Sequence, residues 1–239
     1  MYGPRYLLKG WWLIWRPGVR RYAFWPLLVN ILLFGSAIWV GAGYFADFID
    51  GLLPQWLDWL AWLLWPLFAI SMIITVFYTF TLVANLIAAP FNGLLAEAVE
   101  RELTGAGGND MTVWQAVRDI PASLGNEARK LGYFASRAIP LLILFLVPGI
   151  NVLAPLLWMI FGAWLLALEY LDYPMANHGY RFQHIRGIVA QKRAGSLSFG
   201  GSVLVMTMIP FVNFFAMPVA VAGATAMYVE RFKNAESGR

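Results

Sequence analysis

Four long uncharged runs, separated by polar stretches, set the layout of this chain. The first, Tyr22 to Ala46, holds 25 residues without a charge. A bilayer core of about 30 Å takes about 20 helical residues, so this run predicts a membrane span with some tilt. In the loop that follows, Asp47, Asp50 and Asp58 carry all the charge, and Gly51 and Pro54 break the chain. The second run, Trp59 to Phe91, has 33 residues. As a helix it would extend roughly 50 Å, so it is predicted to tilt, kink at Pro66 or project beyond the membrane, with another bend at Pro90.

The third and fourth runs, Ala138 to Leu168 and Ala194 to Val229, have 31 and 36 residues. Each is too long for one comfortable span and too short for two with a turn. An internal pattern resolves this. Pro148-Gly-Ile-Asn151 followed by Pro155 recurs as Pro210-Phe-Val-Asn213 followed by Pro218. Proline removes a backbone donor and breaks a helix, and asparagine carries an amide that needs partners. Lipid tolerates such backbone only where protein buries it or a cavity is lined by it, and paired interrupted segments are a mark of transporters. The reading is two re-entrant helical hairpins, at about 138–168 and 200–229.

Between the second and third runs lies a polar middle, Asn92 to Arg137. Glu97 and Arg101 are spaced for an i,i+4 pair. Gly105, Gly107 and Gly108 form a break, and Thr112 with Gln115 reads as a capping box opening a helix striped by Trp114 and Val117. The charges here are expected on a solvated face.

Charge then orients the chain. Residues 1–46 carry five Lys/Arg and no Asp/Glu, which places the N-terminus inside; the acidic 47–58 loop belongs outside. Arg181, Arg186, Lys192 and Arg193 would fall outside if the third and fourth runs were simple spans. With two hairpins every basic segment stays inside. The predicted fold is therefore an all-α integral membrane protein, a single membrane domain over 1–239. It has two long transmembrane helices (about 22–46 and 59–91), a cytoplasmic helical segment (92–137) and the two hairpins. The alternative is two conventional spans at 138–168 and 200–229.

Composition agrees: 60% of the 239 residues are hydrophobic and only 13% charged, about half the usual globular share. The net charge of +4 fits orientation better than nucleic-acid binding, for which no module has room. With no cysteine, disulfides and thiolate chemistry are excluded. Met1 to Tyr22 has too short an apolar core, Trp11 to Trp15, for a signal peptide, and reads as an interfacial segment with Trp11, Trp12 and Trp15 at headgroup level. No metal, cofactor or catalytic constellation is expected. His178 and His184 are six apart and read as two solvated or interfacial histidines. The chain has no HExxH, no phosphate-binding loop and no nucleophile elbow.

The sharpest candidate chemistry is Pro17-Gly18-Val19-Arg20-Arg21, at the entry to the first span. Free N–H groups and the dipole at a helix N-terminus attract anions, and two guanidinium forks suit a tetrahedral oxyanion. The competing reading is that Arg20 and Arg21 simply obey the positive-inside rule. A cation at a helix N-terminus opposes the dipole, a mismatch that an anion would relieve. Asn30, Ser71, Thr75, Asn85, Asn151 and Asn213 lie within apolar runs. Asn30, Asn85, Asn151 and Asn213 are the pore-lining candidates, with helix–helix hydrogen bonding or capping as the alternative. Glu169 and Asp172, closing the first hairpin, read as structural and neutralised by nearby arginines.

At these residues the chain resembles the CysZ family of bacterial sulfate permeases over essentially its whole length. The landmarks are Gly18-Val-Arg-Arg21 leading into Pro26-Leu-Leu-Val-Asn30, then Ala88-Ala-Pro-Phe-Asn-Gly-Leu-Leu-Ala-Glu97, Pro148-Gly-Ile-Asn151 and Glu169-Tyr-Leu-Asp-Tyr-Pro-Met-Ala-Asn-His178. The resemblance implies an inner-membrane, multi-pass permease that admits sulfate for assimilation into cysteine. It also implies two long transmembrane helices with hemi-penetrating helix pairs, and homo-oligomers built from dimers. Its sulfate site, a Gly-Leu-Arg motif, corresponds to Gly18, Val19 and Arg20, followed by Arg21, with Val in place of Leu. Expected partners are sulfate, with sulfite or related oxyanions, membrane lipid and copies of the chain itself. The rival to a channel-like permease is an oxyanion-sensing membrane scaffold or regulator that does not transport.

Overall fold

The computed structural model describes residues 2–52, 58–105 and 120–233, and every regular element among them is helical. We number the main helices α1 (Gly3–Leu13), α2 (Pro17–Leu52), α3 (Asp58–Thr104), α4 (Ile120–Leu144), α5 (Ala154–Asn177), α6 (Phe182–Gln191), α7 (Arg193–Thr207) and α8 (Ala216–Met227). The capping box at Thr112 and Gln115, with Trp114, Val117, Pro54, Gly107 and Gly108, lies outside the described residues. The chain divides into two compact units, residues 24–89 and residues 1–23 with 90–239.

The 24–89 unit carries nearly all of the first and second apolar runs. Its α2 portion is a candidate span over Arg20–Asp47. Ile31, Trp39, Tyr44, Trp62 and Ile73 are all exposed, as lipid-facing side chains should be. Phe45 stacks on Phe68, with ring centroids 3.9 Å apart, and meets Trp65 edge-on at 5.1 Å. No helix end falls at Pro66 or Pro90: α3 continues through both into the charged segment ending at Thr104. Helices accept proline when neighbouring geometry re-satisfies the freed carbonyl, so the helix runs on through both.

In the other unit α1 packs on α7 and α8, and α5 runs along α7. Close approach rests on glycine. A Cβ added to Gly200 on α7 would lie 1.8 Å from the carbonyl oxygen of Ala163 on α5. One added to Gly10 on α1 would lie 2.2 Å from the carbonyl oxygen of Val219 on α8. Small residues give membrane helices their van der Waals contact, because lipid supplies no hydrophobic drive between them. The N-terminal segment, expected at the headgroup level, is thus half built into the helical body: Trp12 stays exposed while Trp11 packs edge-on against Phe215 at 5.6 Å.

The third and fourth runs break where the proline–asparagine clusters stand. α4 ends at Leu144, Gly149 takes a positive φ of 84°, and a 3-10 turn over Asn151–Leu153 leads into α5. α7 ends at Thr207, a short helical turn covers Pro210–Asn213, and α8 begins at Ala216. The arms are unequal, however. α5 has 24 residues, about 36 Å, and continues past Glu169 to Asn177. The polar stretch there stays helical because its carboxylates find a buried cation. Lys130 on α4 reaches Glu169 at 2.6 Å and Asp172 at 3.1 Å. The neutralising partner of these acids is therefore a lysine from across the break rather than nearby arginines.

The C-terminal π-helical turns, Tyr228–Lys233, anchor α1. Tyr6 donates its hydroxyl proton to Glu230 (3.0 Å) and accepts from Arg231 Nε (3.2 Å), while Lys9 reaches Glu230 at 2.5 Å. Burial alone would raise the Glu230 carboxyl. The hydrogen bonds from Lys9 and Tyr6, with the charges of Lys9 and Arg5, outweigh it and hold the group below its ordinary value.

Candidate functional site

The turn between α1 and α2 is pinned from inside. Ile14 and Val19 are fully buried, and Ala23 one turn on is buried as well. Pro17 opens α2, where its missing N–H costs nothing and its fixed φ suits the first helical position. The carbonyl of Arg16 then accepts from the N–H of Val19 and of Arg20, both at 2.9 Å. Val19 therefore spends its N–H within the turn and its side chain in the core. Gly18 is exposed, and its N–H has no partner among the described residues. The backbone donor that sequence reasoning shared between Gly18 and Val19 comes down to Gly18. The Val-for-Leu difference concerns core packing.

Side chains complete the electrostatics. Arg20 is exposed and has no hydrogen-bond or ion-pair partner among the described residues. Arg21 is exposed too, with its guanidinium 4.7 Å from the ring centre of Tyr22. Arg16, which sequence reasoning did not single out, adds a third guanidinium at the same turn, 3.9 Å from Glu102. Glu102 also sits 3.9 Å from where a Gly18 Cβ would be, so one carboxylate stands at the edge of a turn that carries three arginines. The arrangement presents one free backbone donor, two open guanidinium forks and an excess of positive charge at a helix N-terminus. It can hold a tetrahedral oxyanion without covalent chemistry.

The asparagine candidates separate into two pairs. Asn151 and Asn213 lie in the two helix breaks, both exposed, and neither side-chain amide has a partner among the described residues. Their backbone N–H groups are satisfied by Val147 at 3.0 Å and Ile209 at 2.8 Å. Asn30 and Asn85 belong to α2 and α3, but their side chains lie outside the described residues. Ser71 and Thr75 are exposed on α3.

Sequence reasoning missed a buried ionic cluster. The charges of the polar middle were expected on a solvated face, yet Glu97 and Glu100 are both buried. Glu97 accepts from Arg101 at 3.0 Å, as the i,i+4 spacing predicted. Glu100 accepts from His178 at 2.9 Å and from Lys233 at 2.6 Å. His178 is therefore not a solvated histidine but a partner of a buried carboxylate. Asn177 beside it donates to the Gly93 carbonyl at 2.8 Å. Buried charge survives only when paired, which is why the cluster exists. The spacing of Glu97 and Glu100 marked one helix face, but nothing local pointed to partners 78 and 133 residues away. Among the described residues no group of His, Asp and Glu is arranged to hold a metal ion.

The family model described as sulfate transporter CysZ/etoposide-induced protein 2.4 matches residues 6–218. A curated relative, the sulfate transporter CysZ of Pectobacterium atrosepticum, is 43% identical over 236 residues, covering 97% of this chain and 86% of its own. The match includes the α1–α2 turn, both helix breaks and the Glu97–Glu100 segment.

Proposed function

Since the chain belongs to the sulfate transporter CysZ/etoposide-induced protein 2.4 family, we propose that it is a channel-like permease carrying sulfate inward across the bacterial inner membrane, feeding cysteine synthesis. The family is one of transporters, not an enzyme class, and the protein is a membrane protein. The observation that carries the reading is Arg20, an exposed and unpartnered guanidinium beside Arg21 at the N-terminal turn of α2, next to the open N–H of Gly18. Sulfate, a tetrahedral dianion, offers an acceptor to each. Val19 sets the turn by burial, and the backbone supplies a donor of fixed position.

A conducting site must release what it binds. Glu102 serves that need, because a carboxylate at the edge of the turn repels sulfate and keeps its residence short. With the N-terminus inside, this turn is the cytoplasmic mouth. The amides of Asn151 and Asn213 stand at the tips of two re-entrant hairpins, deeper along the route, with Asn30 and Asn85 as further lining. Neutral amides replace water around the ion without trapping it. Dimers of the chain, assembled further, would enclose the path.

Equilibrium binding of sulfate to the purified protein, set beside flux into proteoliposomes, tests this. Saturable binding with flux is expected, with sulfite and related oxyanions competing. Binding without flux would make the protein a sensor or scaffold instead.

A further inference from the structure

We propose that the cleft between α4, α5, α6 and α7 is a binding site for an anionic phospholipid, with the phosphate held by Arg137, Arg186 and Arg193 and an acyl chain laid along the apolar wall. The cleft has a volume of about 670 Å³ and is lined by all three arginines. Its remaining walls include Leu141, Leu157, Phe161 and Leu197, drawn from three helices.

Two observations select the ligand. The first is uncompensated charge. All three arginines are exposed, and no carboxylate pairs with any of them among the described residues. This contrasts with the neighbouring Lys130, which takes two carboxylates for itself. Arg137 is oriented by the Tyr133 carbonyl at 3.4 Å and by Ser136 Oγ at 3.1 Å, and it lies 3.8 Å over the Tyr133 ring. Arg186 approaches the same ring at 5.1 Å, so one tyrosine draws two like charges together. The Tyr133 hydroxyl is fixed in turn by the Trp164 indole N–H at 3.0 Å. Like charges gathered without a counter-ion ask for an anion with several acceptor oxygens.

The second observation is where the apolar wall begins. Arg137 is the last charge before the uncharged run 138–168, and Arg186 and Arg193 close the basic loop before the next run. The arginines thus stand at one edge of the apolar band, with Leu141, Leu157 and Phe161 below them. A free inorganic anion would leave that wall unused, whereas a phospholipid covers both parts. Basic pockets between membrane helices on the cytoplasmic side recognise anionic headgroups in this way.

The test uses the full-length protein in detergent, with lipid occupancy read by native mass spectrometry. Phosphatidylglycerol competes against phosphatidylcholine of equal chain length, in the presence or absence of millimolar inorganic phosphate or deacylated glycerophosphoglycerol. The wild type is expected to prefer phosphatidylglycerol by about tenfold or more. R186Q/R193Q should lose that preference, R186K/R193K should keep part of it, and R20A/R21A should keep all of it. Absence of preference in the wild type overturns the proposal, and this arm needs no variant to fold. Full preference in R186Q/R193Q overturns it too. Competition by inorganic phosphate or the deacylated headgroup as effective as intact lipid would make this a soluble-anion site, which also overturns it. None of these readouts involves sulfate flux, so this proposal and the transport reading fail independently.

Discussion

Arg16, Arg20 and Arg21 surround a turn whose backbone is largely spoken for, and this division of labour decides how the site can work. The Arg16 carbonyl consumes two N–H groups, Val19 fills the core, and only Gly18 and the guanidiniums face outward. A second residue-scale device is Glu230, held below its ordinary value by Lys9 and Tyr6. A depressed carboxyl contributes stability that is present above its unfolded value, about 4.3. That contribution is lost as pH falls through the lower folded value. The expected outcome is an acid-side fall in the thermal midpoint of the wild type that is shallower in Glu230→Gln, read by melting curves of the purified protein from pH 6 to pH 3. Parallel curves for the two proteins would show that the α1 anchor does not depend on this ionisation. The open Gly18–Arg21 turn was legible in the sequence because all its parts are local, and its binding of an anion is our proposal. Glu100 was not, because its partners His178 and Lys233 come from distant elements and a buried acid looks like a solvated one until they arrive.

At the scale of elements, helix breaks proved easier to read than helix ends. Pro148-Gly-Ile-Asn151 and Pro210-Phe-Val-Asn213 interrupt their runs as the residue chemistry dictates. Pro66 and Pro90 carry the same letter and do not end α3. At the first break the difference is company, since a glycine able to take positive φ follows Pro148 while helix-compatible apolar residues surround Pro66; at the second, Ile209 before Pro210 is extended, the conformation proline favours in the residue before it. The extension of α5 to Asn177 was hidden for the opposite reason, since its polar end needs Lys130 from α4 to stay buried. Packing between these helices depends on Gly200. Gly200→Ala is expected to lower stability by about 1–3 kcal/mol or more, because a Cβ meets backbone that no rotamer change can clear. Gly201→Ala is the control, since its Cβ would meet nothing closer than the Ala163 Cβ at 3.9 Å. Equal melting midpoints for the two variants would refute the close α5–α7 approach.

For the whole molecule, run length pointed to the membrane character and the all-helical class, and charge asymmetry predicts which segments face inside. The absence of cysteine makes the topology easy to test. A single cysteine at the exposed position of Gln183→Cys should react with a membrane-impermeant maleimide in inverted vesicles and not in intact cells. Labelling from outside only would place residues 169–193 on the other face and replace the hairpins with conventional spans.

If the α1–α2 turn binds the ion that the permease carries, removing its guanidinium groups must slow entry. The most direct test is the initial rate of radiolabelled sulfate entry into proteoliposomes containing the wild type or Arg20→Ala/Arg21→Ala. Saturable entry is expected for the wild type, with a fall of about tenfold or more in the double variant, matching the loss of charge-assisted bonds. Equal rates from equally folded proteins would contradict it.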